Sequence, residues 1–232
     1  MVTTAQPKKQ RGDLITAYGE ISPFAEAYRT LRISVLQGNG KAPWSVGISG
    51  IHPAHGATTT VANLGLITAE TGMRVILLDA DLYKPSLHRV FEVSNDLGLS
   101  AILEGKAKIN DTLFAAPDLP LLRILPAGPK VRNPAALLRP NRINELLHEL
   151  RDWCDLLVMD LPSVGAVAYS SFLASFLDAI LLVIRADTPR MDVEQTVKRR
   201  LQNAHVLGIV LNRVPVARGD GSAYRYYAKE EA

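Results

Sequence analysis

The sequence predicts an α/β fold in which helices cover both faces of a doubly wound, mostly parallel β-sheet, giving a three-layer sandwich. Six strand-like apolar runs alternate with helical segments, an order that is typical of parallel sheets. The runs within residues 73–81 and 156–160 are apolar without alternation, which indicates strands buried on both faces. With 232 residues, 47% of them apolar, the chain can bury one substantial core. We therefore expect one domain over residues 21–216, a flexible N-terminal arm over residues 1–20 and a flexible C-terminal tail over residues 217–232.

Composition and charge exclude several classes of protein. The longest uninterrupted apolar run, residues 179–184, is far shorter than the roughly 20 residues of a membrane-spanning helix, and residues 1–9 lack the apolar stretch of a signal peptide. The single cysteine, Cys154, excludes an internal disulfide and favours a reducing compartment. The net charge of +3 comes from scattered basic residues, which argues against nucleic-acid binding. We expect a soluble, cytoplasmic protein that does not insert into a membrane.

The first predicted helix covers residues 24–37 and follows a Ser-Pro pair, which favours a helix start. Apolar side chains recur on one face at three- and four-residue spacing, and these are Phe24, Tyr28, Leu31 and Val35. Glu26, Arg29 and Arg32 recur at three-residue spacing on other faces. They form either a solvated face with an internal Glu26–Arg29 pair or a set of groups that reaches carboxylates on a neighbouring subunit.

The loop after the apolar run of residues 44–48 predicts a phosphate site. Residues 49–60 combine Gly and Pro with threonines that open the next helix. A strand, a glycine-containing loop and a helix start in this order direct backbone N–H groups and the positive helix end at a phosphate. The expected nucleotide contacts are Gly56, Ala57, Thr58 and Thr59. The alternative is a Gly/Thr turn without a ligand.

One position in this loop departs from the usual P-loop. Such a loop normally ends in Gly-Lys-Ser/Thr, where the lysine contacts the outer phosphates and the hydroxyl group holds magnesium. Here Ala57 occupies the lysine position, while Thr58 keeps the hydroxyl group. Charge-assisted hydrogen bonds contribute roughly 1.5–3 kcal/mol each, so the missing ammonium group predicts weaker nucleotide binding and slower phosphoryl transfer.

Three aspartates end strand-like runs, at the edge where open α/β sheets bind ligands. Asp79 and Asp81 end the run of residues 73–81, and carboxylates there suit magnesium, which is held by one or two acids and phosphate. Asp160 follows four apolar residues, as does the second acid of P-loop proteins, which bonds the magnesium shell or orients the attacking group. The expected metal ligands are Thr58, Asp79 and Asp160. The expected catalytic residues are Asp79, Asp81 and Asp160.

The remaining segments complete the alternation of strands and helices. Short helical pieces are predicted at residues 85–91 and 97–103, and a strand at residues 119–125. An amphipathic helix is predicted from Ile143, Leu146, Leu147 and Leu150. The last two strands are predicted at residues 179–184 and 206–211, with a helix at residues 192–201 between them. Beyond these elements, a polar tail carries a tyrosine cluster, formed by Tyr224, Tyr226 and Tyr227.

Taken together, these residues resemble the cytoplasmic domain of the bacterial tyrosine kinases of capsule and exopolysaccharide synthesis, from about residue 20 to the end. Glu26-Ala27-Tyr28-Arg29-Thr30-Leu31-Arg32 is similar to the family's Glu-x-x-Arg-x-x-Arg helix. Leu77-Leu78-Asp79-Ala80-Asp81, continued by residues 85–88, resembles its additional acidic motif, and residues 156–160 resemble its third motif. Residues 125–129, 133–134 and 211–214 are also similar, and Asn212 and Arg213 lie where relatives hold the adenine.

This resemblance implies a P-loop NTPase-like fold, Mg²⁺ and ATP or ADP as ligands, and ATP-dependent phosphorylation of tyrosine. It implies a ring-shaped homo-oligomer held by Glu26, Arg29 and Arg32, in which the tail of one subunit enters the site of its neighbour. The tail tyrosines Tyr224, Tyr226 and Tyr227 correspond to the autophosphorylated cluster. The implied partner is the cytoplasmic tail of an inner-membrane polysaccharide co-polymerase, which would place the protein at the periphery of the inner membrane.

The departures from the family pattern concern charges near the phosphates. Ala57 replaces the loop lysine, Ala54 and His55 replace the usual Gly-Glu, and Tyr83 replaces the arginine that follows the two acids. The residues that could compensate are Arg32, Lys84 and Arg213. The preferred interpretation is a tyrosine-kinase-like protein that regulates the polysaccharide machinery and whose autophosphorylation is weak or lost. The alternatives are a non-enzymatic scaffold for the co-polymerase and a related partitioning-type ATPase.

Overall fold

The computed structural model describes Leu14, residues 22–37 and residues 42–214. The tyrosines of the tail, Tyr224, Tyr226 and Tyr227, lie outside the described residues, as does nearly all of the expected N-terminal arm. The division into arm, domain and tail stays a prediction. Within the described residues, no helix is both long and apolar enough to span a membrane.

Helices and strands alternate along the described chain. The helices are α1 (Pro23–Gln37), α2 (Ala57–Ala69), α3 (Leu87–Val90), α4 (Leu99–Leu103), α5 (Pro134–Leu137), α6 (Pro140–Leu150), α7 (Ala168–Ala174) and α8 (Arg190–Arg200), with a 3₁₀ turn at Ile109–Asp111. The strands are β1 (Ser45–Gly50), β2 (Val75–Asp79), β3 (Phe114–Ala116), β4 (Leu119–Leu125), β5 (Leu156–Asp160), β6 (Ala179–Arg185) and β7 (Val206–Asn212).

These strands form one sheet in the order β3-β4-β2-β5-β1-β6-β7. All neighbouring strands run parallel except β3 and β4, which are antiparallel. The predicted doubly wound, mostly parallel sheet is therefore confirmed. Because β1, β5 and β2 are neighbours, their carboxyl ends bring Gly50, Asp160 and Asp79 to one edge of the sheet.

Helices cover both faces of the sheet, as the continuous apolar runs predict. On one face, strand side chains such as Ile48 and Leu77 pack with residues of α1 and α2. On the other face, Leu78 and Met159 pack with residues of α4, α6 and α7. A strand that meets helices on both faces needs apolar side chains at consecutive positions, which explains the absence of alternation.

Four short elements were not predicted from the sequence: the strand β3, the helices α5 and α7, and the 3₁₀ turn at Ile109–Asp111. The edge strand β3 has three residues and pairs with β4 through a turn in which Asp118 adopts a φ of 62°. A three-residue strand leaves too short a pattern to recognise, so the prediction of six strands was one short within the described chain. The seven-residue helix α7 was also missed, and it proves important for the site.

The packed face of α1 differs from the prediction. Phe24 was expected on that face, and this is wrong, because its side chain is 53% exposed. The buried residues are Ala25 and Val35, and half-buried Tyr28 and Arg32 lie on the same face at helical spacing. Tyr28 contacts α2, and its pKa is raised chiefly by burial.

Candidate functional site

The loop between β1 and α2 is held by a residue from the far end of the chain. Gly56 adopts a left-handed conformation with a φ of 99°, and a Cβ atom there would lie 2.1 Å from Nδ2 of Asn212. The same Nδ2 donates a hydrogen bond to the carbonyl oxygen of His55 at 2.9 Å. Only glycine combines this conformation with so close an approach. The end of β7 thus fixes the shape of the loop.

The start of α2 presents unpaired backbone donors. The first N–H groups of a helix have no partner within the helix, and the N-cap residue, Gly56, has no side chain to satisfy them. Thr60 closes the turn behind them, since both its N–H and its hydroxyl group donate to the Gly56 carbonyl oxygen, at 3.0 and 2.9 Å. Together with the positive end of the helix dipole, these donors suit an anion.

A cleft of ≈ 620 Å³ opens over this helix start. It lies at the carboxyl edge of the sheet, as is usual for ligand sites of open α/β sheets. Its lining residues are Gly50, His52, Pro53, Ala54, His55, Gly56, Ala57, Thr58, Thr59, Asp81, Tyr83, Lys84, Asp160, Leu161, Pro162, Ser163, Ala166, Val167 and Arg213. The cleft therefore unites the loop, two of the three predicted acids and one of the two residues predicted near the adenine.

Thr58 is held between two neighbours in this cleft. Its Oγ1 accepts a hydrogen bond from the hydroxyl group of Ser86 at 3.1 Å, and its side chain also bonds to Asp160. Ala57 is half-buried at the first position of α2 and packs against the apolar core. The structure therefore leaves the hydroxyl group of the P-loop pattern in place and offers no ammonium group from the lysine position.

Asp79 and Asp160 lie side by side at the ends of β2 and β5, where they are register partners. Both are buried, with exposures of 0% and 2%. Burial raises the pKa of Asp79 to about 6. Burial first, and then the neighbouring Asp79 carboxylate, raises the pKa of Asp160. No ion pair joins either carboxyl group to a basic side chain among the described residues, so a cation placed beside them would favour their ionised forms.

Asp79 and Asp81 differ in position although they are close in sequence. Asp79 does not line the cleft: its carboxylate accepts backbone hydrogen bonds from Asp81 at 3.1 Å, Ser86 at 2.8 Å and Leu87 at 3.0 Å. Asp81 lines the cleft, and its Oδ1 accepts hydrogen bonds from the N–H groups of the two residues that follow Leu82. Asp79 therefore shapes the segment that carries Asp81.

The oxygen donors of this site suit magnesium, which takes few ligands from the protein. They do not suit a metal ion whose ligands all come from the protein. Within the described residues, no group of three or more His, Cys, Asp or Glu side chains is arranged to hold a metal ion. Magnesium typically takes one or two carboxylates and completes its shell with water and phosphate oxygens. Asp160 lines the cleft and bonds to the Thr58 side chain, and Asp79 lies next to it behind the lining, so one carboxylate and a hydroxyl group match that requirement.

Two cleft residues differ from the family pattern in ways that the sequence did not explain. His55 is buried, its Nδ1 has no hydrogen-bond partner among the described residues, and burial lowers its pKa. Tyr83 is 47% exposed and stacks on Tyr169 of α7, with ring centroids 5.7 Å apart. The hydroxyl group of Tyr169 accepts a hydrogen bond from the Leu82 N–H at 3.1 Å. Sequence analysis missed Tyr169 because it missed α7.

The other predicted site residues lie at different places. Glu26 and Arg29 contact each other on α1, outside the cleft, as in the solvated-face interpretation. Arg32 is half-buried on the same helix, and its Nε is buried without a partner in the described chain. Arg213 lines the cleft with a φ of 55°, next to Asn212. Their roles in assembly and in adenine binding stay predictions.

Comparison with known proteins identifies the family. No protein-family model matches the chain. Tyrosine-protein kinase YwqD of Bacillus subtilis is 31% identical over 210 residues, which span 89% of this chain and 87% of that protein. The chain belongs to the bacterial tyrosine kinase family. A putative tyrosine-protein kinase in the cps region of Klebsiella pneumoniae is 34% identical over 171 residues, 72% of this chain and 23% of that longer protein.

Superposition on solved structures supports the assignment to the bacterial tyrosine kinases and the P-loop fold. The chimerical protein CapA2B2 superposes with a TM-score of 0.82 at 26% identity, covering 88% of this chain and 91% of that one. The septum site-determining protein MinD of Pyrococcus horikoshii, complexed with Mg-ADP, superposes with a TM-score of 0.59 at 25% identity, covering 74% and 70%. The kinase domain of Escherichia coli tyrosine kinase ETK superposes with a TM-score of 0.79 at 25% identity, covering 94% of this chain and 84% of that one, and this closer fit favours the kinase interpretation over the partitioning-type ATPase.

Proposed function

We propose that this bacterial tyrosine kinase family member binds nucleotide weakly and regulates a capsule or exopolysaccharide machinery with weak or lost autophosphorylation. One observation carries the proposal: the start of α2, Thr58 and the buried acids remain arranged around the cleft, whereas Ala57 offers no charge. Burying two adjacent carboxylates without a cationic partner costs stability, so their presence supports a site that a bound cation completes.

Each residue has a role in this proposal. The first N–H groups of α2 would bind phosphate oxygens, and Thr58 and Asp160, with Asp79 behind them, would hold Mg²⁺. Bound Mg²⁺ would neutralise phosphate charge. Asp81 faces the cleft and accepts the proton of the tyrosine hydroxyl group. The tyrosine oxygen then bonds to the γ-phosphorus while the bond from that phosphorus to the bridging oxygen breaks, and ADP leaves.

The proposed weakness of this reaction follows from the missing cations. Ala57 and Tyr83 stand where relatives place a lysine and an arginine, so less positive charge surrounds the transferring phosphoryl group. Removal of one preorganised charge-stabilising group typically lowers a rate by about 10²–10³. Slow autophosphorylation, rather than a fast kinase, is the expected outcome.

The same proposal includes the assembly and the partner. Glu26, Arg29 and Arg32 would hold a homo-oligomer, and a membrane polysaccharide co-polymerase would bind through its cytoplasmic tail. Light scattering on the wild type and on an Arg29→Ala/Arg32→Ala variant tests the assembly. If the wild type and the variant have the same size in solution, this interface is ruled out.

Nucleotide titration and mass spectrometry test the activity. We expect no micromolar binding of Mg·ADP or Mg·ATP, and a clear dependence on magnesium. After incubation with Mg·ATP, mass spectrometry of Tyr224, Tyr226 and Tyr227 should find little phosphate, and a kinase acting in trans would be needed for more. Substantial phosphotyrosine that disappears in an Asp79→Ala/Asp81→Ala variant would establish an active autokinase instead.

A second candidate is a scaffold without enzymatic activity. Ala57 favours it, because the position that normally supplies the catalytic ammonium group packs against the core. The scaffold folds and binds the co-polymerase tail equally well with and without nucleotide. A pull-down of the tail peptide in the presence and absence of Mg·ATP separates the two candidates.

A further inference from the structure

The cleft lacks the loop ammonium group, but two other cations line it. Of the three residues that could compensate for Ala57, Arg32 lies on α1 outside the cleft, whereas Lys84 and Arg213 are part of the lining. They differ in origin, since Lys84 follows the acidic segment after β2 and Arg213 follows β7. The position of each determines which part of a nucleotide it can reach.

Lys84 belongs to a segment fixed against the start of α2. Its N–H donates to Oδ1 of Asp81 at 2.9 Å, and the N–H of Ser86 donates to Oδ2 of Asp79 at 2.8 Å. The hydroxyl group of Ser86 contacts Oγ1 of Thr58 at 3.1 Å. Lys84 is therefore two residues from direct contact with the first turn of α2, a separation of at most about 7 Å along the backbone. The flexible four-carbon stem of lysine can bridge such a gap.

The Lys84 side chain is available for a ligand. It is exposed, and its ammonium group forms no ion pair with a carboxylate of the described residues. Arg213 is placed differently, since it follows Asn212, whose side chain bonds to the His55 carbonyl oxygen on the β7 side of the loop. Lys84 is therefore the lining cation whose own segment bonds to Thr58 and to the acids, through Ser86 and Asp81.

We propose that Lys84 supplies the phosphate-binding ammonium group that Ala57 lacks. The inference rests on the proposed nucleotide site, and its ligand is the outer phosphate of a nucleoside di- or triphosphate. An ammonium group acts as a point charge and needs no fixed bidentate geometry, so it can serve from a different part of the chain. A bound phosphate would then link the segment of residues 81–87 to the first turn of α2.

The test compares nucleotide affinity in matched lysine variants. NMR titration with Mg·ADP and with Mg·ATP measures millimolar as well as micromolar dissociation constants in wild type, Lys84→Ala, Lys84→Arg and Lys198→Ala. Lys198 is an exposed lysine on α8, outside the cleft. We expect Lys84→Ala to weaken binding about tenfold, Lys84→Arg to retain most of it and Lys198→Ala to change nothing. Equal thermal unfolding of the three variants confirms that each is folded.

A double-mutant cycle with Ala57→Lys shows whether both positions serve the same phosphates. With a lysine at position 57, the loss caused by Lys84→Ala should fall below threefold, because the phosphate charge is already balanced. If wild type binds and Lys84→Ala behaves like Lys198→Ala, the role of Lys84 is refuted and the proposed function stands. If only the Ala57→Lys variant binds, Lys84 does not compensate. If neither the wild type nor the Ala57→Lys variant binds nucleotide at millimolar concentrations, the proposed nucleotide site itself is wrong.

Discussion

Charged groups at the two edges of the sheet have different surroundings. At the amino edge, the Asp178 carboxylate accepts hydrogen bonds from the N–H groups of Trp44 at 3.0 Å and Ser45 at 2.9 Å, and from the Ser45 hydroxyl group at 3.0 Å. Arg74 and Asp155 form an ion pair with 2.6 Å between Nη2 and Oδ1. These charged groups have partners within the chain and are partly exposed to water.

At the carboxyl edge, two carboxylates are buried without an ion pair among the described residues, although Asp79 accepts three backbone hydrogen bonds. Asp79 and Asp160 lie side by side with raised pKa values, and Nδ1 of His55 has no partner among the described residues. The basic side chains that line this cleft, Lys84 and Arg213, are exposed instead. The amino edge thus has its partners within the described chain, whereas we expect a ligand that brings a cation to complete the carboxyl edge.

The change with the largest expected effect is Ala57→Lys. It places an ammonium group at the start of α2, beside Thr58, and should raise any autophosphorylation rate by about 10²–10³ and tighten nucleotide binding about tenfold or more. Phosphotyrosine formation and Mg·ADP titration measure both. Ala57→Met, which adds length without charge, is the control. Equal gains in the two variants would show that packing, and not charge, limits the site.

A pair of Asp→Asn variants compares the edges directly. Asp160→Asn removes a carboxylate next to Thr58 and should reduce the effect of magnesium on nucleotide affinity by about 10- to 100-fold. Asp178→Asn should leave that affinity unchanged and lower the free energy of unfolding by about 1–3 kcal/mol, since a charged acceptor of three hydrogen bonds is lost. The ratio of the dissociation constants with and without magnesium gives the first effect and urea unfolding the second. A loss of magnesium dependence in Asp178→Asn would contradict the distinction.

The convergence of the acids at one edge could be predicted, because it depends on local patterns. Parallel strands end at the same edge of a sheet, so the runs that end in Asp79 and Asp160 place both carboxylates together once the sheet is parallel. The observed strands agree with the predicted runs: β5 has the predicted ends, and β2 lies within residues 73–81. The sheet and the place of both acids at its carboxyl edge followed from this reasoning, while the roles of these residues in binding stay predictions.

The contacts that complete the site could not be predicted, because they join distant parts of the chain. Asn212 bonds to His55 across 157 residues, and Tyr169 supports the acidic segment from a helix that the sequence pattern did not reveal. Ser86 lies in a quoted motif, yet its contact with Thr58 depends on how the segment folds over α2. The face that α1 turns toward the core, which leaves Phe24 exposed, likewise depends on contacts with other elements.

The pH dependence of stability should differ with and without ligand. Burial raises the pKa of Asp79 to about 6 in the folded chain, above the ordinary aspartate pKa of about 3.9. The folded state therefore binds more protons, and stability falls as pH rises through that window, by about 2–3 kcal/mol. Burial lowers the pKa of His55, so the folded state binds fewer protons below its usual pKa near 6.5, and stability rises with pH there. The two effects oppose each other.

A His55→Gln variant separates these contributions. Its thermal unfolding temperature without nucleotide should fall more steeply between pH 4 and pH 6.5 than that of the wild type, since the opposing contribution of His55 is removed. The contribution of His88, whose pKa is also lowered by burial, is the same in both proteins. Saturating Mg·ADP should flatten the decline, because a bound cation favours the ionised carboxylates. An equal slope with and without Mg·ADP would show that the buried acids do not face the bound cation.

The smallest expected effects come from two glycines near opposite ends of α2, and they test whether the loop is held by β7. Gly56 and Gly72 both have positive φ, at 99° and 87°, but a Cβ at Gly72 would meet nothing within 4 Å, whereas one at Gly56 would collide with Asn212. Gly72→Ala should cost about 1 kcal/mol of unfolding free energy for the backbone conformation alone and leave Mg·ADP binding unchanged. Gly56→Ala should cost more and weaken binding, and an added Asn212→Ala should restore part of the stability by removing the collision. If the two glycine variants lose equal stability and Asn212→Ala brings no relief, the loop is not fixed by the end of β7, and the carboxyl edge is less preorganised than its contacts indicate.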